Sequence, residues 1–270
     1  MKAETEQSER PLKGRFPFRL GTTSYILPDD LVPNVTYLAD HVDDVELVLF
    51  ESDELSNLPD EDAIATLATL ADEHNLTYTV HLPLDIDLGS SEAAVRQRSV
   101  AKCRRVIGLT KPLRPFAWLL HLYGGPTNRE TTANLDAWTA ALDDSLKRLL
   151  DDGPASDTIC VETLAYPYEY VWDVVQRHDL SVCLDIGHIL LNRYDLTAYL
   201  NAYLARCRVV HLHGIRDGRD HRDIGALSEE TLELILSRLH SAPAQQRVLT
   251  LEVFNQNDLI RSLDVLRNTT

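Results

Sequence analysis

Long apolar runs are missing from this chain. No stretch approaches the roughly 18 apolar residues that cross a bilayer, so no membrane span is expected. Paired cysteines are missing too: the four present, Cys103, Cys160, Cys183 and Cys207, form no CxxC pair. That excludes a disulfide framework, suits a reducing cytoplasm, and leaves the thiols to act as small buried hydrophobes. Positive charge is scarce, with 26 Lys and Arg against 42 Asp and Glu and a net charge of -16. An acidic surface opposes nonspecific adhesion to DNA or to anionic membranes, although a small basic pocket for a phosphate remains compatible with it. The polar N-terminus, MKAETEQSERPLKGR, has no apolar core of the kind a secretory signal needs. Residues 1–15 therefore read as a flexible tail, and a cytoplasmic protein is expected. No Pro/Gly/Ser-rich linker divides the 270 residues, so residues 16–270 read as one domain. No GxGxxG follows the first apolar run, which argues against a dinucleotide-binding open sheet.

What is present is alternation. Short apolar runs rich in β-branched residues occur at 18–25, 45–50, 76–82, 116–124, 158–164, 181–187, 207–214 and 248–254. They read as buried strands. Helical patterns fill the intervals, among them 59–75, 91–108 opening on Ser91 as N-cap, 128–153, 227–240 capped by Ser228, and 255–268. Strands alternating with helices predict a parallel sheet with crossover helices. Eight such units in a chain of this length predict a closed (β/α)8 barrel of the TIM type; a doubly wound open sheet is the structural alternative.

In such a barrel, reactive side chains stand at the C-terminal ends of the strands. His81, His121, Glu162, Asp185, His211, His213 and Glu252 fall at those ends, with His188 and His221 in the loops just after. The remaining histidines, His41, His74, His178 and His240, lie on or beside helical segments. Taken singly, each of these residues could be a hydrogen-bonded core group. Strand parity joins them. Side chains alternate faces, so Cys160 and Glu162, Cys183 and Asp185, Val209, His211 and His213, and Val248, Thr250 and Glu252 each share a face. Val161, Leu184, Val210, Leu212, Leu249, Leu251 and Val253 take the other, against the helices. Carboxylates and imidazoles then converge in the barrel mouth. Crowded buried acids need compensation, and a divalent cation supplies it. Mixed imidazole and carboxylate donors suit zinc, manganese or iron better than calcium or magnesium.

The motifs HLP at 81–83, HLYGG at 121–125, VETLAY at 161–166, CLDIGH at 183–188, VVHLHG at 209–214, DHRDIG at 220–225 and LEVF at 251–254 resemble the xylose-isomerase-like barrel superfamily, which includes the endonuclease-IV type. The resemblance spans residues 16–270. It implies a metal held by Glu162, Asp185, His211 and Glu252. His81, His121, His188 and His221 match the extra histidines of the three-zinc endonuclease-IV type, with Glu162 bridging two ions. Arg219 stands where that type carries an acid, with Asp220 beside it, so a third ion is left open. Two segments, 19–35 and 42–59, resemble the cobamide-remodelling phosphodiesterases of the same superfamily.

The resulting expectation is a metal-dependent phosphodiesterase with two or three divalent ions, zinc foremost, acting on the nucleotide loop of a cobamide such as adenosylcobalamin in corrinoid salvage. Glu162, Glu252 and His213 are the expected catalytic groups. Arg216, Arg219 and Arg222 are candidates for a substrate phosphate, against the plain alternative of a solvated loop balanced by Asp217, Asp220 and Asp223. Tyr25 and Tyr123 are candidates to cover the mouth, and Gly124 and Gly125 to admit a ligand close to the backbone. The partner is a small molecule; a membrane or nucleic acid is not expected. The alternatives are a single-metal sugar isomerase or epimerase, an abasic-site endonuclease, and a non-catalytic corrinoid or metal carrier.

Overall fold

The structure is a computed structural model that describes residues 11–52, 55–123, 134–241 and 246–269. The barrel strands in chain order are β1 (Arg19–Thr23), β2 (Asp44–Val48), β3 (Thr77–His81), β4 (Ala117–Leu120), β5 (Ile159–Glu162), β6 (Ser181–Asp185), β7 (Cys207–Leu212) and, after a hairpin, β10 (Val248–Leu251). They close in the order β1-β10-β7-β6-β5-β4-β3-β2. Every pairing between them is parallel. The expected closed (β/α)8 barrel is thus the fold, and the open-sheet alternative is excluded.

Parity works as the sequence predicts. Ala117, Leu119, Cys160, Cys183, Val209 and Val248 form a small apolar cluster inside the barrel. Val161, Leu184, Val210, Leu212, Leu249 and Leu251 belong to the larger core between strands and helices. All four cysteines are free and buried, as expected of small core hydrophobes.

Helices follow the strands as α1 (Leu31–Leu38), α2 (Glu61–His74), α3 (Ala93–Thr110), α4 (Leu135–Leu150), α5 (Glu169–Arg177), α6 (Ile186–Leu191), α7 (Leu196–Tyr203), α8 (Glu229–His240) and α9 (Gln256–Thr269). Ser228 caps α8 as expected, its hydroxyl accepting from Thr231 N–H. Ser91 does not cap α3. That helix starts at Ala93, with Glu92 at the N-cap and no side-chain cap. The Arg96 guanidinium lies over this start and donates to Ser90 O at 2.8 Å.

Most of the expected tail, residues 1–10, lies outside the described residues, as do Gly124 and Gly125. Residues 11–15 are anchored at two points. Leu12 is buried, and Gly14 N–H donates to Asp43 Oδ1 at 2.9 Å. Among the described residues, no helix is long and apolar enough to cross a membrane.

The connection after β7 reads from sequence as a plain loop, but it carries an antiparallel hairpin, β8 (Gly214–Arg216) and β9 (Arg219–Arg222). Its turn is made by Asp217 and Gly218, both at positive φ.

Candidate metal centre

The strand ends deliver the donors. Glu162 and Asp185 are the last residues of β5 and β6, and Asp185 is the Cα partner of His211 on β7. Asp185 also serves as N-cap of α6: its Oδ1 accepts from His188 N–H at 2.6 Å. The cap brings His188 onto the same spot, three residues on, and places its Nδ1 3.2 Å from Asp185 Oδ2.

Three groups of donors result, and Glu162 touches each neighbourhood. Its Oε2 lies 3.0 Å from His121 Nε2 and 3.8 Å from His81 Nε2. The second group is Asp185, His211 and Glu252, with His211 Nδ1 at 3.2 Å from Glu252 Oε2 and 3.8 Å from Asp185 Oδ2. Glu162 Oε2 is 3.6 Å from that same nitrogen. The third gathers His188, His213 and His221. Here Glu162 Oε1 lies 3.5 Å from His188 Nδ1, and Glu252 Oε2 lies 3.4 Å from His221 Nε2. Asp220 joins on the hairpin, with Oδ1 3.0 Å from His221 Nδ1 and Oδ2 3.9 Å from His188 Nε2.

The chemistry of this donor set fits divalent cations. His121 Nε2, Glu162 Oε2, His211 Nδ1 and Glu252 Oε2 are buried and have no hydrogen-bond partner, although they face one another. Such atoms cost free energy unless something bonds them. The far sides of the rings are anchored, as metal-binding imidazoles require. His81 Nδ1 lies 2.8 Å from Leu82 O, and His121 Nδ1 lies 2.5 Å from Tyr123 Oη. Each ring thereby keeps Nε2 turned to Glu162.

Protons carry the compensating charge in the metal-free protein. Burial opposes ionisation of Glu162, but His121 and His211 outweigh it and hold the carboxyl well below its ordinary range. Burial likewise opposes charge on His188, yet Asp185 and Glu162 push that ring up to about 10. His221 is pushed up to about 9 against the effect of burial, by Glu252 first and then Asp220. Burial pushes the Tyr123 phenol up to about 12, helped by Glu162 and Glu252, so it stays protonated. Cys183 adjoins Glu162 and His211, and burial holds its thiol well above the ordinary range, so it is protonated in the metal-free protein.

His213, a member of the third group, also makes contacts that organise its neighbours. Its Nδ1 accepts from His221 N–H at 3.0 Å, and its Nε2 lies 3.1 Å from Asp185 Oδ1. Both ring nitrogens are engaged, so the ring orients Asp185 and holds the hairpin residue His221, itself at φ +53°. The rings of His213 and His221 stack with centroids 4.3 Å apart.

The remaining sequence-predicted residues divide. Arg216 is tied to Asp223, Nη2 to Oδ2 at 3.2 Å, which fits the charge-balanced loop rather than a free phosphate ligand. Arg219 and Arg222 stand on β9. Tyr123 is in the site through His121. Tyr25 is half exposed and packs edge-on against Phe50. Two groups escape the sequence reading. Asp44 and Glu46 on β2 are fully buried in the barrel interior, and Glu46 Oε2 lies 2.9 Å from His211 Nε2. The signal is there: in VELVLF, Val45, Leu47 and Leu49 take the helix face, which leaves Glu46 pointing inward.

Residues 36–269 match the model of the xylose isomerase-like TIM barrel family. No curated protein matches the chain by sequence. A D-tagatose 3-epimerase-like protein superposes with TM-score 0.71 at 22% identity, over 93% of this chain and 96% of that one. A 3-keto-D-glucoside 4-epimerase from E. coli gives TM-score 0.70 at 15% identity, over 94% and 100%. Endonuclease IV from Thermus thermophilus gives 0.68 at 18%, over 93% and 98%. At these identities the likeness shows the fold and leaves the substrate open. The match over most of its length settles descent: the chain belongs to the xylose isomerase-like TIM barrel family.

Proposed function

We propose that the protein is a metal-dependent phosphoester hydrolase. The observation that carries this reading is the position of Glu162, shared between the His81/His121 pair and the Asp185/His211/Glu252 group. A single cation at the Asp185/His211/Glu252 group would leave the His81/His121 pair without one. In this reading His81, His121 and Glu162 hold one cation, and Glu162, Asp185, His211 and Glu252 hold a second. His188, His221 and Asp220 hold a third, with Asp220 supplying the acid that Arg219 does not. Bound divalent cations polarise a phosphoryl oxygen and lower the pKa of water toward neutrality.

The chain's own groups do the rest. His213 keeps Asp185 and His221 in place. Tyr123 keeps the His121 ring turned to Glu162. Glu252 Oε2 is buried and faces His211 Nδ1 at 3.2 Å and His221 Nε2 at 3.4 Å, so Glu252 would tie the second and third sites together. Arg219 and Arg222, on the hairpin beside Asp220 and His221, are candidates to meet the substrate phosphate. The cobamide substrate rests on the resemblance of residues 19–35 and 42–59 alone.

A sugar epimerase is the second reading. Two epimerases superpose on the chain, and Glu162, Asp185, His211 and Glu252 by themselves make a compact four-donor set. An abasic-site endonuclease is less favoured, because the basic face of α3 is occupied: Arg96 pairs with Asp144, Lys102 with Asp85, and Arg105 with Glu51. The test is elemental analysis together with turnover of adenosylcobalamin, a ketohexose panel and an abasic oligonucleotide. Two or three metals per chain with phosphoester cleavage supports the proposal. One metal with ketose epimerisation replaces it.

A further inference from the structure

We propose that Glu46 is a positioning residue of the metal centre, fixing the one tautomer of His211 that presents Nδ1 to a cation. The inference rests on the metal-centre reading above and deepens it. Glu46 lies mid-strand on β2, and His211 lies on β7; β1 and β10 separate these strands in the sheet. The contact therefore crosses the barrel interior. Both side chains are wholly inaccessible to solvent, with Oε2 and Nε2 2.9 Å apart. The opposite nitrogen, Nδ1, faces Glu252 Oε2, Glu162 Oε2 and Asp185 Oδ2 at 3.2, 3.6 and 3.8 Å without a hydrogen bond.

A neutral imidazole has one N–H and one lone pair. With the proton on Nδ1, the Nε2 lone pair would press against the Glu46 carboxylate in a dry interior. With the proton on Nε2, Glu46 accepts it, and the lone pair on Nδ1 meets three carboxylate oxygens. That arrangement needs positive charge at Nδ1: a proton in the metal-free protein, which a bound cation would replace. Glu46 thus selects the nitrogen that ligates, as the carboxylate in a carboxylate–histidine–metal triad does. In this role Glu46 acts through His211.

The test uses the full chain and zinc ion alone. Zinc affinity is measured by chelator competition for wild type, E46A and E46Q. E46A is expected to bind roughly 10- to 100-fold more weakly, and E46Q to recover part of the loss, because its amide oxygen still accepts from Nε2–H. Nitrogen-15 histidine spectra of zinc-loaded wild type, with the His211 signal assigned by its loss in H211N, should show Nε2 protonated and Nδ1 bound. Wild-type affinity in a folded E46A overturns the role of Glu46 alone. So does zinc on Nε2 of His211, which decides the matter even if E46A does not fold. A wild-type chain that binds no zinc overturns the metal-centre reading as well.

Discussion

Gly187 offers a perturbation whose sign separates two accounts of the site. It lies in α6, where replacing glycine by alanine ordinarily stabilises a helix by roughly 0.5–1 kcal/mol. Here a Cβ would stand 1.9 Å from Cε1 of His213 and 2.3 and 2.4 Å from its ring nitrogens. Ordinary contact begins near 3.4 Å, so the ring must retreat by about 1.5 Å. It has nowhere to go, since His221 stacks on it and Asp185 holds Nε2. Overpacking of this kind costs about 1–3 kcal/mol, and the two hydrogen bonds of His213 contribute about 1 kcal/mol each. G187A should therefore lose about 3 kcal/mol net. For a chain of this size that is a fall in Tm of about 6 °C. The loss should reach the metals too, because Asp185 and His221 shift with the ring. Differential scanning fluorimetry of the metal-free protein and elemental analysis after zinc loading measure both. A G187A protein with raised Tm and unchanged zinc content would show that His213 is not packed against this helix, and the account of the third group would fall with it.

Other outcomes follow from the same geometry. E162Q should lose more activity than the roughly 100-fold that loss of a supporting residue costs, with cooperative unfolding retained; full turnover in the variant removes the shared-ligand role. Zinc loading should release protons, because His188 and His221 are held protonated up to about 10 and about 9 in the metal-free protein. Affinity should accordingly rise with pH through the neutral range, and indicator titration in weak buffer that finds no proton release at pH 7 contradicts the assignment. Asp44 is wholly buried, and burial first of all pushes its carboxyl up to about 7. Its stabilising effect is complete below the ordinary value of 3.8 and is lost as pH rises through about 7, so wild-type Tm should fall across that window. D44N should flatten this part of the Tm profile, and an unchanged slope refutes the attribution. Chelation should stop turnover, and zinc should restore it; an active metal-free preparation ends the hydrolase reading.

Much of this molecule was legible in the order of residues. Period-two alternation within short strands, broken by helical stretches, is a local property, and it determined the barrel and the inward faces of Glu162, Asp185, His211 and Glu252. Residues at strand ends are likewise local, which is why His81 and His121 could be assigned to the mouth. What the sequence could not state was how groups far apart in the chain share their bonds. VVHLH offers two equivalent histidines on one face, yet only closure of the barrel gives His211 three carboxylates and a buried Glu46, and ties His213 to Asp185 and the hairpin. For Arg216 the sequence offered both a phosphate and the neighbouring acids, and the hairpin is what sets it beside Asp223. Periodicity fixes which way a side chain points; the partner it meets depends on strand closure and loop geometry, and those are decided only when distant segments pack.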